Sequence, residues 1–102
     1  MSAPKPRAYV VNEIWVSDPE VFQTYVVQVP AILAKYGGRY VVRSGATETV
    51  HGDPPGRIVI LEFADRAAAL AWRSSPEYQA ILPIRDASST SRVYVVEGYQ
   101  PQ

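Results

Sequence analysis

The sequence contains no cysteine and only one histidine, His51. Without thiols the chain can form neither a disulfide nor a thiolate metal site, and it has no thiol nucleophile. A single imidazole excludes a metal site built from several histidines of one chain. We therefore expect neither a metal ion nor a bound cofactor.

Long apolar runs and an excess of one charge sign are also missing. No run reaches the roughly 20 apolar residues that a membrane-spanning helix needs. Ten basic residues balance ten acidic ones, so the chain as a whole is not attracted to nucleic acid or to anionic lipid. The first residues lack the apolar core of a signal peptide, and phosphate loops and nucleophile elbows are absent. We predict a cytoplasmic protein that binds neither nucleic acid nor a membrane.

The composition is that of an ordinary globular chain. It has 102 residues, of which 47% are hydrophobic, and this length suits one domain. We expect a loose tail over residues 1–7, one domain over residues 8–99 and a short tail over residues 100–102. A domain this small buries a modest fraction of its surface, so pairing with a second copy would stabilise it.

The spacing of apolar residues predicts the order strand, helix, strand, strand, helix, strand. The predicted strands span residues 8–16, 39–50, 57–64 and 92–99, with a bulge or bend at Ser44-Gly45. Two prolines, Pro30 and Pro83, are expected to interrupt the two helical regions, and residues 88–91 read as a polar connection. Gly37 suits a left-handed helix cap. This order is the split βαβ pattern of an α+β ferredoxin-like fold, an antiparallel sheet with helices on one face.

A series of short motifs covers residues 8 to 99. They are Asp18-Pro19 with Tyr25, Tyr36-Gly37-Gly38-Arg39, Val42-Arg43, Leu61-Glu62-Phe63, Ala71-Trp72, Ser75-Pro76-Glu77-Tyr78 and Val96-Glu97-Gly98. In type and order these motifs resemble the DUF1330 family, from which Asn12 departs because an aliphatic residue is expected there. The resemblance implies the dimeric α/β-barrel form of the ferredoxin-like fold. Related barrels include cofactor-free monooxygenases of antibiotic synthesis, muconolactone isomerases, haem-binding proteins and stress-response proteins, so the fold alone assigns no reaction.

Strict alternation along the predicted strands indicates which side chains lie on the sheet face away from the helices. They are Tyr9, Val11, Glu13, Trp15, Arg39, Val41, Arg43, Ile58, Ile60, Glu62, Val93, Val95 and Glu97. This face is too apolar to be left in water. We therefore predict a homodimer in which two sheets pack face to face through an isologous interface.

Five charged residues fall on that predicted face: Glu13, Arg39, Arg43, Glu62 and Glu97. They could bind an acidic substrate, with a carboxylate in an apolar wall acting as a base. They could also be ion pairs that hold the dimer in register, and we favour this second interpretation. The set contains three carboxylates and two arginines, so one carboxylate is left without a partner. This unpaired carboxylate could belong to a functional site.

Aromatic side chains recur on the predicted helices at helical spacing. The set is Phe22, Tyr25, Tyr36, Trp72 and Tyr78. Such residues usually form the core between helices and sheet, and this is the favoured interpretation. The alternative is an apolar pocket in which a tyrosine hydroxyl orients a ligand.

Two further polar positions have a functional and an ordinary interpretation. His51, close to Asp53, could act as a general base or be one ligand of a site shared across a dimer, although its place before a glycine- and proline-rich turn favours a solvated loop. Arg85 beside Asp86 could hold an anion in a cleft, whereas a surface ion pair is the ordinary case.

These observations give two hypotheses for function. The favoured one is a small-molecule-binding homodimer without catalysis, for which the candidate ligand-binding residues are Arg39, Arg43, Trp72, Tyr78 and Arg85. The alternative is a cofactor-free enzyme, monooxygenase-like or isomerase-like, that acts on a small hydroxyaromatic or lactone-like acid. In that case Tyr25 or Glu62 is the proton acceptor, Arg43 holds the anionic oxygen and Trp72 completes the site.

Overall fold

A computed structural model of the chain describes residues 5–101. Residues 1–4 of the predicted N-terminal tail and residue 102 of the predicted C-terminal tail lie outside the described residues. The elements are β1 (Ala8–Val16), α1 (Pro19–Val26), α2 (Val29–Lys35), β2 (Arg39–Arg43), β3 (Arg57–Phe63), α3 (Arg66–Arg73), α4 (Pro76–Ser88) and β4 (Ser89–Glu97).

The four strands form one antiparallel sheet in the order β2-β3-β1-β4. The helices pack on one face of this sheet, where the buried core lies. The largest fully buried side chains there include Phe63 from β3, Trp72 from α3 and Tyr78 from α4. Each such aromatic contributes roughly 1.5–3 kcal/mol by leaving water. The predicted α+β ferredoxin-like architecture is therefore confirmed.

Local sequence signals explain where the helices begin. Asp18 and Asp65 accept hydrogen bonds from the backbone N–H groups three residues on, at 3.2 and 2.8 Å, and so cap α1 and α3. Ser75 caps α4 in the same way, by accepting from the N–H of Tyr78 at 3.1 Å. Pro30 stands in the first turn of α2, where its missing N–H costs nothing. The predicted break at Pro30 is confirmed as the gap between α1 and α2.

Two glycines join α2 to β2. Gly37 has φ 74°, and the N–H groups of Gly37 and Gly38 donate to the carbonyls of Ala34 and Leu33 at 3.1 and 3.0 Å. This is the Schellman arrangement, which satisfies the last helical carbonyls and confirms the cap predicted at Gly37. A Cβ on Gly38 would lie 2.5 Å from Cδ1 of Leu33 and 2.6 Å from Cε1 of Phe63, so the close packing of α2 on the sheet requires glycine.

The end of the second helical region differs from the prediction. α4 continues through Pro83 without interruption, because the loss of one backbone hydrogen bond leaves the flanking turns intact. The polar connection expected at residues 88–91 is also absent, since Ser88 ends α4 and Ser89 begins β4. The hydroxyl groups of Ser88 and Ser89 donate to the carbonyls of Ile84 and Arg85, both at 2.6 Å. The serines thereby cap the helix end and let the chain enter the strand directly.

The second strand is much shorter than predicted. β2 ends at Arg43 instead of Val50, and Ser44 turns the chain with φ 55°. Residues 44–54 form an exposed loop that carries His51. The few apolar residues of this stretch have no neighbouring strand to pair with, so an extended conformation gains no ladder of hydrogen bonds.

A bulge in β2 changes which side chains share a face. Arg39 lies opposite Glu62 on β3, but Arg43 lies opposite Val59, because the register shifts by one residue between Tyr40 and Val42. The extra residue reverses the alternation. The prediction that Arg39 and Arg43 point the same way is therefore wrong: Arg39 lies on the face away from the helices and Arg43 on the helix side.

The alternation predicted for the last strand is also wrong. Val93, Val95 and Glu97 lie opposite Asn12, Val10 and Ala8 of β1, which face the helices. Both alternating sets of β4 are rich in apolar residues, so the sequence pattern did not determine the phase. The sheet face away from the helices, the open face, is formed by Tyr9, Val11, Glu13, Trp15, Arg39, Val42, Ile58, Ile60, Glu62, Thr90, Arg92, Tyr94 and Val96.

Candidate functional site

The carboxylates of the open face are paired within the chain. Glu62, with 6% of its surface exposed, accepts from Nε of Arg39 at 2.6 Å and from the hydroxyl of Tyr9 at 2.9 Å, and its second oxygen lies 3.2 Å from Nε of Arg7. Glu13 pairs with Arg92 of β4 at 2.9 Å. Glu97 is not on this face, so the surplus carboxylate inferred from the sequence is not present on the open face.

The ion pairs of Glu62 should make the stability of the fold depend on pH in the acid range. Hydrogen bonds from Arg39 and Tyr9 lower the pKa of the Glu62 carboxyl. Its stabilisation is therefore complete above the unfolded-state pKa of about 4.3 and is lost as the pH falls through the lower folded-state value. We expect Glu62→Gln to be less stable than the wild type at neutral pH, with a smaller further loss down to about pH 3. Urea unfolding across this range measures both effects.

Glu48→Gln is the matched control, because Glu48 is exposed in the loop and forms no ion pair with any described residue. Its denaturation midpoints should follow those of the wild type. Equal acid sensitivity of Glu62→Gln and the wild type would contradict a stabilising role for the Glu62 pairs.

A cavity of about 70 Å³ lies between the helices and the sheet, which we call the helix–sheet cavity. This volume is large enough to admit water, and the cavity is partly open to solvent. Aliphatic and aromatic side chains form most of its wall. The aromatic ones are Phe22, Tyr25, Tyr40 and Trp72.

Arg85 places a positive charge at the wall of this cavity. It lies on α4, is 3% exposed, and its Nη2 donates to Oδ1 of Asn12 at 3.0 Å. The Asn12 amide is held in that orientation because its Nδ2 donates to the carbonyls of Val10 and Val59, at 3.3 and 3.1 Å. The predicted surface ion pair of Arg85 with Asp86 is therefore wrong. Asn12, the position that departs from the family pattern, is an acceptor for the buried guanidinium.

Two tyrosine hydroxyls complete the surroundings of Arg85. Its Nη1 donates to the hydroxyl of Tyr25 at 3.0 Å and lies 3.4 Å from that of Tyr78. The two hydroxyls are 2.8 Å apart, and Nη1 of Arg73 donates to Tyr78 at 3.1 Å. Burial raises the pKa of Tyr25 above its ordinary value, so at neutral pH this hydroxyl is protonated and serves as a hydrogen-bond donor.

The charge of the cavity is positive without compensation. Arg43 and Arg57 also line it, stacked on the rings of Tyr40 and Phe22 with centroid distances of 4.5 and 5.6 Å. No acidic side chain lines the cavity, and within residues 5–101 none of its three arginines forms a salt bridge. Arg85 is buried, whereas Arg43 and Arg57 are exposed. A buried charge without a counter-ion is costly, and its presence in a concave apolar site is typical of a place where an anion binds.

Only some of the candidate site residues predicted from the sequence lie together in the structure. Four of them line the helix–sheet cavity: Tyr25, Arg43, Trp72 and Arg85. Tyr78 lies behind the wall and bonds to Tyr25, whereas Arg39 and Glu62 lie on the open face. Tyr36 bonds to Glu77 on α4, and His51 is exposed in the loop. Their roles in binding or catalysis remain predictions.

Sequence reasoning did not assign Asn12, Tyr40 and Arg57 to a site. A signal for the buried arginine was present, because Tyr78 and Arg85 are seven residues apart and so share one helix face. Asn12 on the apolar face of β1 was the complementary signal. The positions of Tyr40 and Arg57 depend on the bulge and the loop, which carry no pattern that would have revealed them.

Comparison with known proteins places the chain in a family. Residues 7–99 match the profile of a family described as a domain of unknown function, DUF1330. No curated protein matches the chain. Within the part of the chain that the structure describes, no helix is long and apolar enough to cross a bilayer.

Solved structures of low sequence identity share the fold. A protein of unknown function from Rhodopseudomonas palustris is 16% identical, with a TM-score of 0.79 over 95% of this chain and 85% of that one. SnoaB, a cofactor-independent oxygenase from Streptomyces nogalater, is 18% identical, with a TM-score of 0.65 over 94% and 96%. A dimeric protein of unknown function and ferredoxin-like fold from Bacteroides fragilis is 12% identical, with a TM-score of 0.63 over 94% and 100%.

Proposed function

The chain belongs to the DUF1330 family of unknown function, and we propose that it is a cytoplasmic homodimer that binds a small molecule in the helix–sheet cavity. The observation that carries the proposal is the guanidinium of Arg85, which is buried at the cavity wall without a carboxylate. Its described partners are neutral: the Asn12 amide and two tyrosine hydroxyls. A core that only needed filling would hold an apolar side chain at lower cost.

The surface of the chain supports the dimer. Its accessible surface is 6740 Å², whereas a compact monomer of this mass exposes about 5,700 Å². On the open face, Trp15, Tyr94 and Val96 are 40%, 52% and 51% exposed. A standard interface covers about 800 Å² of each partner. The neighbour from Bacteroides fragilis, which has this fold, is dimeric.

Binding in the cavity should raise thermal stability. At a ligand concentration of 100 times Kd we expect a stabilisation of about 2.7 kcal/mol, or an increase in Tm on the order of 10 °C. The measurement is a thermal-shift screen of single-ring hydroxyaromatic compounds and small lactones, each in acidic and neutral forms.

Two neighbouring valines provide a matched pair of variants for this screen. Val26 lines the cavity, so Val26→Trp should block it and abolish the shift. Val27 is 64% exposed and does not line the cavity, so Val27→Trp should retain the shift. If no compound stabilises the wild type, or if Val26→Trp is stabilised as much as Val27→Trp, the cavity is not the binding site.

Cofactor-free catalysis is the second candidate function. It is favoured by one observation: Tyr25 lines the cavity, and its protonated hydroxyl, which accepts from Arg85 at 3.0 Å, would donate to a developing oxyanion. It is weakened by the place of Glu62, which does not line the cavity, so that no carboxylate of the described residues is available there as a base. Oxygen consumption with a bound hydroxyaromatic compound distinguishes turnover from simple binding.

A further inference from the structure

Counting hydrogen bonds around Arg85 reveals an excess of donors. The Tyr78 oxygen accepts from Arg73 at 3.1 Å and faces Nη1 of Arg85 at 3.4 Å, which occupies both of its lone pairs. Its own hydrogen is then donated to Tyr25, 2.8 Å away. The Tyr25 oxygen thus accepts from both Tyr78 and Arg85. The hydrogen of the Tyr25 hydroxyl is left without an acceptor among residues 5–101.

Reversing the bond between the two tyrosines does not remove the excess. If Tyr25 donates to Tyr78, three donors converge on one oxygen that has two lone pairs, and the hydrogen of Tyr78 has no acceptor. Either direction leaves one hydroxyl hydrogen over. Tyr25 lines the cavity and Tyr78 does not, so the first direction places the free donor where a ligand can accept it.

A second, independent donor belongs to a residue that lines the same cavity. Trp72 lines it and is 1% exposed. Its indole Nε1 has no hydrogen-bond partner among the described residues. An indole nitrogen can only donate, and a buried N–H without an acceptor destabilises the folded state. Within the described chain, Trp72 Nε1 is also the one buried side-chain polar atom that stands without a partner.

We infer that the ligand is a monocarboxylate built on a single aromatic ring, with its carboxylate accepting hydrogen bonds from the Tyr25 hydroxyl and the Trp72 indole N–H beside Arg85. The inference rests on the proposed function and specifies its ligand. A carboxylate has two oxygens that only accept, which matches the two unpaired donors of Tyr25 and Trp72. One negative charge balances the one fully buried guanidinium. The aromatic walls at Phe22 and Tyr40 suit the face of a ring.

The test compares benzoate with two matched probes. Benzamide keeps the ring and shape, but it replaces one acceptor oxygen by an NH₂ donor and carries no charge. Acetate keeps the carboxylate and lacks the ring. We expect calorimetry on the full chain to give a Kd for benzoate at least tenfold lower than for either probe. Benzoate binding should weaken as the pH falls through the pKa of the ligand's own carboxyl.

Proton–nitrogen NMR reads the proposed contact directly. The chain has two tryptophans, so two indole N–H signals are expected, and Trp15→Phe assigns them. Saturating benzoate should move the Trp72 signal downfield and leave that of Trp15, which is on the open face, in place. Tyr25→Phe should reduce the preference for benzoate over benzamide by tenfold or more. Tyr36→Phe is the control, because the Tyr36 hydroxyl bonds to Glu77 and does not line the cavity.

The possible outcomes separate the two levels of the proposal. Benzamide binding as tightly as benzoate, sensitive to Val26→Trp, overturns the carboxylate assignment and leaves the cavity as a binding site. Acetate binding as tightly as benzoate overturns the requirement for a ring. Benzoate binding without a shift of the Trp72 indole signal overturns the proposed contact. If none of the probes and none of the screened compounds binds, the proposed function fails as well.

Discussion

Tyr94→Asp is expected to convert a dimeric protein into a monomer at micromolar concentration. Tyr94 lies opposite Val11 on the edge strand β4, at mid-length of the open face, and is 52% exposed in the single chain. In an isologous interface the substitution occurs in both copies. A carboxylate held against apolar side chains without a cation costs several kcal/mol, and each 1.4 kcal/mol weakens association tenfold. The expected loss of dimer affinity is therefore on the order of 100-fold or more.

Sedimentation velocity over a concentration series measures this effect. The matched control is Leu70→Asp, because Leu70 is 45% exposed but belongs to α3 in the helix layer. That variant should sediment as the wild type does. A wild-type protein that is monomeric at micromolar concentration would contradict the sheet-face dimer, and so would a Leu70→Asp monomer alongside a Tyr94→Asp dimer.

The architecture could be predicted from the sequence because the residues that indicate it are close together in the chain. Asp18, Asp65 and Ser75 mark helix starts, Gly37 marks a helix end, and their order gives the split βαβ pattern. Which side chains of a strand face the helices could be predicted only where one face of the strand is clearly more apolar, as in β1. In β4 both alternating sets are apolar, so the pattern could not tell Val93 from Tyr94. The bulge in β2 depends on pairing with β3, which no local signal records.

The candidate site was less accessible because it combines distant residues. Asn12 of β1, Tyr25 of α1 and Arg85 of α4 meet only when the helices close over the sheet. Asn12 taken alone is an exception to an apolar pattern, and Arg85 taken alone beside Asp86 reads as a surface ion pair. The hydrogen bond between the two residues explains why each of them is buried. A polar residue on an apolar strand face is thus best read together with any charged residue on the core face of a helix.

The largest expected change in the free energy of unfolding comes from breaking the hydrogen bond between Asn12 and Arg85. Asn12→Leu should be the more harmful single change, because it leaves Nη2 of the buried Arg85 without an acceptor. Leaving a donor of a buried charged group unsatisfied costs more than the roughly 1–3 kcal/mol typical of a neutral group, against a total stability of about 5–15 kcal/mol for a domain. Arg85→Met should cost about 1–3 kcal/mol, since it leaves only the neutral Oδ1 of Asn12 unpaired while Met keeps much of the side-chain volume.

The double variant should be more stable than the sum of the single changes predicts, and more stable than Asn12→Leu alone. Combining the changes removes the charge together with its acceptor, and contacting residues usually show coupling energies of about 0.5–3 kcal/mol. Urea unfolding of the four proteins in the cycle measures this coupling, and additive effects would contradict a direct Asn12–Arg85 interaction. The same cycle separates folding from function. A folded variant that carries Arg85→Met should no longer bind benzoate, because the proposal assigns to this guanidinium the charge that balances the carboxylate.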